Sequence, residues 1–455
     1  MRTTTAFRVV FASAILVSSA LLVASAVPTT AENTDEQTQS DWSLTVADGY
    51  NTSNPGERTT VVTAHVTGGD IWQYSLNGTL LYHDDTHDAY WDVDPVPNES
   101  NSVVYVATDE VHNESLCDPV GDDESCYRQI IERANLTTGE TEVLYSRVDP
   151  TDYRQWHDAD RVGDSRYVVG DMHADEVFVV NTTTGIVTWE WNMQNHFSLD
   201  SGGQYPDDWA HINDVEQLED GRIMVSPRNH DQVIFLDPET GLQENWTIGA
   251  DDRFSVLDGQ HNPDYFDESA GGPAVLIADS NNNRTIEYAR TEAGGWEQSW
   301  VWQDERLTWP RDADRLPNGH TLITDTRGGR VVEINEQGEV VWNLTRVGHS
   351  EGGYAAYEAE RLNTGDESAG GESAASLGLT SRTAQDDEDS AARDANASDA
   401  GLVPESVSNT ASGVVQALLG LPAWVLLATI AATALAWFGV ELWHDDGAIQ
   451  GAPRR

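Results

Sequence analysis

Three histidines occupy matching places in a repeating pattern. His157 in QWHDAD, His211 in DWAHIND and His261 in DGQHNPD each shortly precede an acidic pair, and in the next repeat Arg311 takes that place in WPRDAD. Arg228, in SPRNHDQ, ends the second strand expected in the His211 repeat, and His173 (GDMHADE) and Arg327 (DTRGGR) stand at similar points in others. A neutral imidazole is a competent nucleophile near pH 7 and can also move protons. A guanidinium offers fixed donors to an anion. A lone histidine in a loop usually makes only a hydrogen bond. Three at equivalent places, among 13 in the chain, point to one shared site. Metal binding is the alternative, with Asp158 or Asp214 as further ligands. Two arginines beside the histidines favour an anion over a cation, so neither a metal nor another cofactor is expected. The chain has no Walker-type phosphate loop and no GxSxG turn, which argues against nucleotide-dependent transfer and serine hydrolysis.

These residues need a scaffold that brings distant repeats to one point. The acidic-pair motif recurs as WDVDPV, HDADRV, NDVEQL, PDYFDE, RDADRL and YEAERL, at Asp92, Asp158, Asp214, Asp264, Asp312 and Glu358. Each full repeat continues with a strand such as RYVVGD, RIMVSP, AVLIAD or TLITDT. A third follows (EVFVVN, QVIFLD, RTIEYA, RVVEIN), then a glycine turn and a Trp-bearing strand (TTGIVTWEW, ETGLQENW, EQGEVVWN). Four short strands per period predict an all-β, six-bladed β-propeller. Val61 to Asp84 supply three strands without an acidic-pair strand, and Tyr357 to Leu362 supply one without the other three. Joined, they make a composite blade that closes the ring and removes open edges. The acidic-pair strand opens each blade and is expected to be innermost, its carboxylates structural or solubilising.

At the histidines the chain resembles the arylsulfotransferase family. DWAHIND followed by SPRNHDQ is similar to the family's Trp-x-His-x-Asn element and the Ser-x-Arg near the end of the next strand. DGQHNPD with the later IADSNNNR is similar to its Gln-His element and Asp-Asn-rich turn, and QWHDAD to its earlier His-Asp element. The resemblance covers roughly residues 60 to 363. It implies a six-bladed propeller that moves a sulfuryl group from an aryl sulfate donor to a phenolic acceptor without a nucleotide. His261 would be the nucleophile. His157, His211 and Arg228 would bind sulfate and transfer protons, with Arg311 and Asn213 as further substrate-binding residues. The chain departs from the family in reading Asn229-His230 where a single His is usual. It also lacks the β-rich N-terminal domain of the bacterial enzymes, so their dimeric arrangement is not carried over. The competing reading is a non-catalytic surface propeller that binds sulfated or acidic glycans or envelope proteins; it needs the arginines but no nucleophile.

Composition adds a setting. The 77 acidic residues against 25 basic ones, all of these arginine, give a formal charge of -52. With 16 Trp and 14 Tyr spread along the chain, disorder does not explain this acidity. Adaptation to brine does, because molar salt shrinks the screening length to about 3 Å. Such a surface excludes nucleic acid as a partner. Arg2 and Arg8 precede an apolar run from Val9 to Val27 with a cleavable Ala24-Ser25-Ala26, expected as a signal peptide or a retained anchor. Leu419 to Leu442 reads as a transmembrane helix with Trp424, Trp437 and Trp443 as interfacial anchors. Sequons at Asn51, Asn77, Asn98, Asn113, Asn135, Asn181, Asn245, Asn283, Asn343 and Asn396 suggest glycosylated surface loops. Cys117 and Cys126 flank a short acidic loop; in an oxidising compartment they are expected to form a disulfide, two free thiols being the alternative. The expected order is a signal segment (1–27), an N-terminal extension (28–58), the propeller (59–363), a disordered acidic stalk (364–413), a transmembrane helix region (414–443) and a cytoplasmic tail (444–455). The protein is thus expected as a haloarchaeal-type, single-pass membrane protein with its propeller outside the cell.

Overall fold

The computed structural model describes residues 42–383, apart from 53–57, 66–68, 121–124, 150–154, 207, 350–353 and 365–370. Both apolar segments and the Asn396 sequon lie outside these residues. No helix among the described residues is long and apolar enough to cross a membrane.

The described chain forms six antiparallel sheets. We number the blades by their inner strands: Ala89–Pro95 (blade 1), Trp156–Asp158 (2), Ile212–Gln217 (3), His261–Phe266 (4), Pro310–Arg315 (5) and Ala359–Arg361 (6). Every acidic-pair motif is therefore innermost. Blade 6 is the composite: Ala359–Arg361 pairs with Thr59–Ala64, which continues through Asp70–Ser75 to Leu80–Asp84. The second strands are mostly buried, Ala274–Asp279 along its whole length, because blades stack face to face. Continuous apolar runs such as AVLIA are what two covered faces demand. Between blades 2 and 3, for example, Val168, Val177 and Trp191 pack against Trp209, Ile212 and Val225. Each such large side chain contributes about 1.5–3 kcal/mol on burial.

The blades are also stitched at the axis. The Asp92 carboxylate accepts the Ala159 N–H, Asp158 accepts that of Val215, Asp312 that of Ala359 and Glu358 that of Val93, each on the following blade. Across the channel, the Asn262 side chain donates to Glu358 at 2.9 Å, linking blades 4 and 6. These carboxylates are structural, as expected, but being buried they do not solubilise.

Three boundaries differ from expectation. Trp42–Val46, placed in an N-terminal extension, is a fifth, outermost strand of blade 5 paired with Val340–Arg346. The segment 371–383, placed in the disordered stalk, packs on the propeller: the Ala374 N–H donates to Glu287, and Thr380 O accepts from Trp300 Nε1 at 3.2 Å. Ser and Ala look featureless in sequence, yet Ser373 caps a short helix, Ala374–Leu377, against blade 4. In blade 3 the expected fourth strand splits into Gly241–Leu242 and Ile248–Gly249, both pairing with Gln232–Asp237, around a 3-10 turn. Cys117 and Cys126 are disulfide-bonded, closing the loop between two strands of blade 1. Of the sequons, Asn51, Asn77, Asn98, Asn113 and Asn245 are exposed, and Asn135, Asn181, Asn283 and Asn343 half-buried.

Candidate active site

The inner strands carry β-bulges where they enter the channel, at Ile212/Val215, His261/Asp264 and Pro310/Asp312. Beside them His211 (φ 50°), Asn262 (φ 29°) and Trp309 (φ 57°) hold left-handed backbone conformations, which cost non-glycine residues energy. Strain of this kind concentrates at functional sites, and here it turns side chains of three blades toward one another.

His261 is fully buried. Its Nδ1 lies 2.8 Å from Ser280 Oγ and 3.0 Å from Gly259 O. Ser280 Oγ in turn lies 2.6 Å from Pro310 O, to which it must donate its single proton. Both partners of Nδ1 are therefore acceptors, so Nδ1 carries the hydrogen and Nε2 keeps its lone pair. Nε2 has no hydrogen-bond partner among the described residues. Gly259 makes this possible: at φ 58° it brings the chain so close to Asn281 that a Cβ would lie 2.6 Å from that side chain.

His211 is oriented by Asp208, with Nδ1 2.5 Å from Oδ1, and Arg228 lies 3.5 Å from the other oxygen of the same carboxylate. The ring of His157 stands 5.1 Å from that of His211 and stacks on Trp91 at 4.4 Å. Arg311 is only 5 % exposed and lies over Trp309, Tyr354 and Tyr357 at 4.6 to 5.1 Å. It has no ion-pair partner among the described residues, whereas the buried Arg315, Arg330 and Arg361 are paired with Glu287, Asp304 and Asp325, and Glu333. Asn213 is buried and donates to Gln260 O at 2.9 Å, which ties blade 3 to the residue before His261.

Burial lowers His157 and His261 well below the ordinary histidine value, and nearby cationic groups, Arg228 and Arg311 among them, push in the same direction. Burial and Arg228 bring His211 to about 4, with Asp208 opposing. Burial lowers Arg311 to about 10, and it stays charged at neutral pH. The cluster thus holds neutral imidazoles beside permanent cations: a place for an anion, with nucleophile and proton carriers at hand.

All the site residues expected from sequence except His173 are joined by these contacts or by mutual electrostatic influence. His173 sits in the turn after the second strand of blade 2, its N–H on Asp171. His230, the extra histidine after Arg228, is buried against Phe197 and Trp209, with Nε2 3.2 Å from Ser201 Oγ. Several partners were not foreseen: Asp208, Ser280, Trp91, Trp309, Tyr354, Tyr357 and His65. The last lies 4.3 Å from the Trp91 ring and 3.3 Å from an Arg311 nitrogen. It ends the VVTAH strand, so the signal was a histidine after the second strand of the composite blade.

One group of carboxylates among the described residues, Asp231, Asp251 and Asp252, has ligand atoms within 4.8 Å of one another and could hold a cation. A cavity of about 540 Å³ opens where the inner strands end, lined by Asp94, Asp160, Arg161, Glu216, Glu219 and Asp267. Its acidity does not suit an anion.

The described residues form a six-bladed propeller whose channel entrance gathers histidines and arginines. Residues 190–347 match the model of a protein family described as arylsulfotransferase (ASST). The matched stretch carries His211, Asn213, Arg228, His261, Ser280, Arg311 and Arg327. No curated protein matches the chain. Among solved structures, a protein of unknown function from Bacteroides caccae aligns at 12% identity over 67% of this chain and 99% of its own, with a TM-score of 0.45. The periplasmic gluconolactonase of Pseudomonas aeruginosa aligns at 12% over 68% and 99%, with a TM-score of 0.43. Virginiamycin B lyase of Staphylococcus aureus, solved with quinupristin, aligns at 8% over 67% and 99%, with a TM-score of 0.38.

Proposed function

We propose that this protein transfers a sulfuryl group from an aryl sulfate to a phenol, without a nucleotide, through a sulfurylated His261. The observation that carries the reading is the tautomer of His261: hydrogen on Nδ1, bare Nε2, in a pocket beside an unpaired buried guanidinium. The family match over residues 190–347 supports it.

In the first half-reaction the Nε2 lone pair attacks sulfur and the S–O(aryl) bond breaks. The departing oxygen keeps the bonding electrons and takes a proton from His211. A sulfate bound between Arg228 and Arg311 supplies the negative charge that raises His211 from its low resting value, so that it enters protonated. Charge on the transferring group is held by Arg311 and Arg228. In the second half-reaction His211 takes the acceptor's proton, the acceptor oxygen attacks sulfur, and the N–S electrons return to Nε2.

The test is incubation with a chromogenic aryl sulfate and a phenol in molar salt. Acceptor-dependent release of the chromophore is expected, lost in His261→Ala. Saturable binding of sulfated ligands without turnover would favour a binding module instead. The apolar segments and sequons support export with the propeller outside the cell. Deleting the residues after Thr383, which keeps the docked segment 371–383, together with residues 1–26 should then release soluble protein, and protein still sedimenting with membranes would count against the tether.

A further inference from the structure

One cation at the pocket is left over when a simple aryl sulfate is counted in. Arg228 and Arg311 flank the position argued for the sulfate, and Arg228 also faces Asp208. Arg327 does neither. Its guanidinium carbon lies 4.2 Å from the centre of the Trp309 ring and 5.2 Å from that of Tyr354, and its NH2 donates to Tyr354 Oη at 2.8 Å. It is half-buried, its Nε has no hydrogen-bond partner and it forms no ion pair among the described residues. In a chain with 77 acidic residues, a carboxylate to pair with it would be easy to supply.

Arg311 rests on the same two rings, 4.7 Å from Trp309 and 5.1 Å from Tyr354. Two cations sharing Trp309 can be no more than about 9 Å apart, and they repel. A benzene ring carrying two anionic substituents reaches across separations within that limit. Trp309 and Tyr354 touch both guanidiniums and Tyr357 touches Arg311, so an entering ring has aromatic neighbours at either charge.

We propose that the donor is an aryl sulfate bearing a second anionic group, a ring carboxylate, which Arg327 holds while the sulfate lies against Arg311. This rests on the sulfuryl-transfer reading above. The two anions would neutralise the two guanidiniums one for one, and the Arg327 pair would fix which way round the ring enters.

The test compares 3-carboxy-4-nitrophenyl sulfate with its methyl ester, which keeps shape and a nitrophenol leaving group but removes the charge. Transfer to one common phenol is measured in molar salt. The carboxylate form should be preferred at least tenfold in kcat/KM, mainly through KM. That ratio should collapse toward one in Arg327→Gln and survive in part in Arg327→Lys. Because it compares two substrates on one protein, it does not depend on the yield of folded variant. Equal use of both donors by the parent would overturn the inference while leaving sulfuryl transfer standing. A preference unchanged in Arg327→Gln would also overturn it. Failure to transfer from either donor would overturn the sulfuryl-transfer reading and this inference with it.

Discussion

The same six inner strands build two opposed electrostatic environments a few residues apart. Where they enter the channel they present His157, His211, His261 and Arg311. One to three residues on they present Asp92, Asp158, Asp214, Asp264, Asp312 and Glu358, all buried. At the entrance, burial and cations push imidazoles toward neutrality. In the ring below, burial pushes acids up, Asp92 to about 6 and Asp312 to about 7, and burial together with neighbouring carboxylates pushes Asp158, Asp214 and Glu358 well above the ordinary range. Both ends are desolvated, so the difference lies in what compensates. In the ring Asp92, Asp158, Asp312 and Glu358 each accept a backbone N–H of the next blade, which joins the propeller together. Among the described residues, Arg311 at the entrance has no ion-pair partner and the Nε2 of His261 has no hydrogen-bond partner, which is where a ligand gains most.

Disturbing the entrance should have the largest effect. Replacing Arg311 with Met keeps bulk but removes the charge, and kcat/KM for an aryl sulfate should fall by about 10²–10³, the worth of an oxyanion donor. The thermal midpoint should fall little or rise, because an unpaired buried cation is lost. Retention of full activity would show that the anion lies elsewhere.

Salt separates the two ends next. A net charge of -52 makes the fold depend on screening, so dialysis from molar to millimolar salt should lower the unfolding midpoint markedly. An unchanged midpoint would mean that the acidity has another cause.

The ring also sets a pH dependence. Asp92 and Asp312 have folded-state values above the unfolded carboxylate value of about 3.9. Their contribution is thus fully present below the unfolded value and is lost as pH rises through about 6 to 7. Stability in constant salt should decline from about pH 4 to about pH 7, read by calorimetry, and Asp312→Asn should flatten that decline because the amide does not titrate but can still accept the Ala359 N–H. At the entrance His261 must be unprotonated at Nε2 to attack, and burial and Arg311 hold it well below the ordinary histidine value, so the acid limb of kcat/KM should lie well below that value too.

The smallest effect is expected at Ser280. Ser280→Ala leaves Gly259 O as the one acceptor for His261 Nδ1, and loss of a hydrogen bond worth about 1 kcal/mol should lower kcat roughly fivefold. An unaltered kcat would show that Gly259 alone fixes the tautomer.

The propeller was legible because its repeat is written in runs whose period survives insertions; even the composite blade followed from strands missing at one end and present at the other. His157, His211, His261, Arg228 and Arg311 were legible because they hold equivalent places before or after those strands. Their supports were not. Asp208 reaches His211 through a left-handed backbone turn, and Ser280 reaches His261 from the neighbouring strand end, so neither is marked by spacing. Tyr354 and His65 meet Arg311 only because the ring closes, bringing together residues 289 positions apart. The docking of 371–383 escaped notice because backbone and small polar groups, with no apolar period, make its contacts.

The central claim is a sulfur–nitrogen bond on one named histidine. The direct measurement is peptide mass spectrometry after brief exposure to an aryl sulfate in molar salt with no acceptor, quenched under alkaline conditions that spare a phosphoramidate-like bond. One SO₃ addition on the His261 peptide is expected, discharged by a phenol and absent from His261→Ala. An adduct confined to another residue, or none while the parent still transfers sulfate, would contradict it.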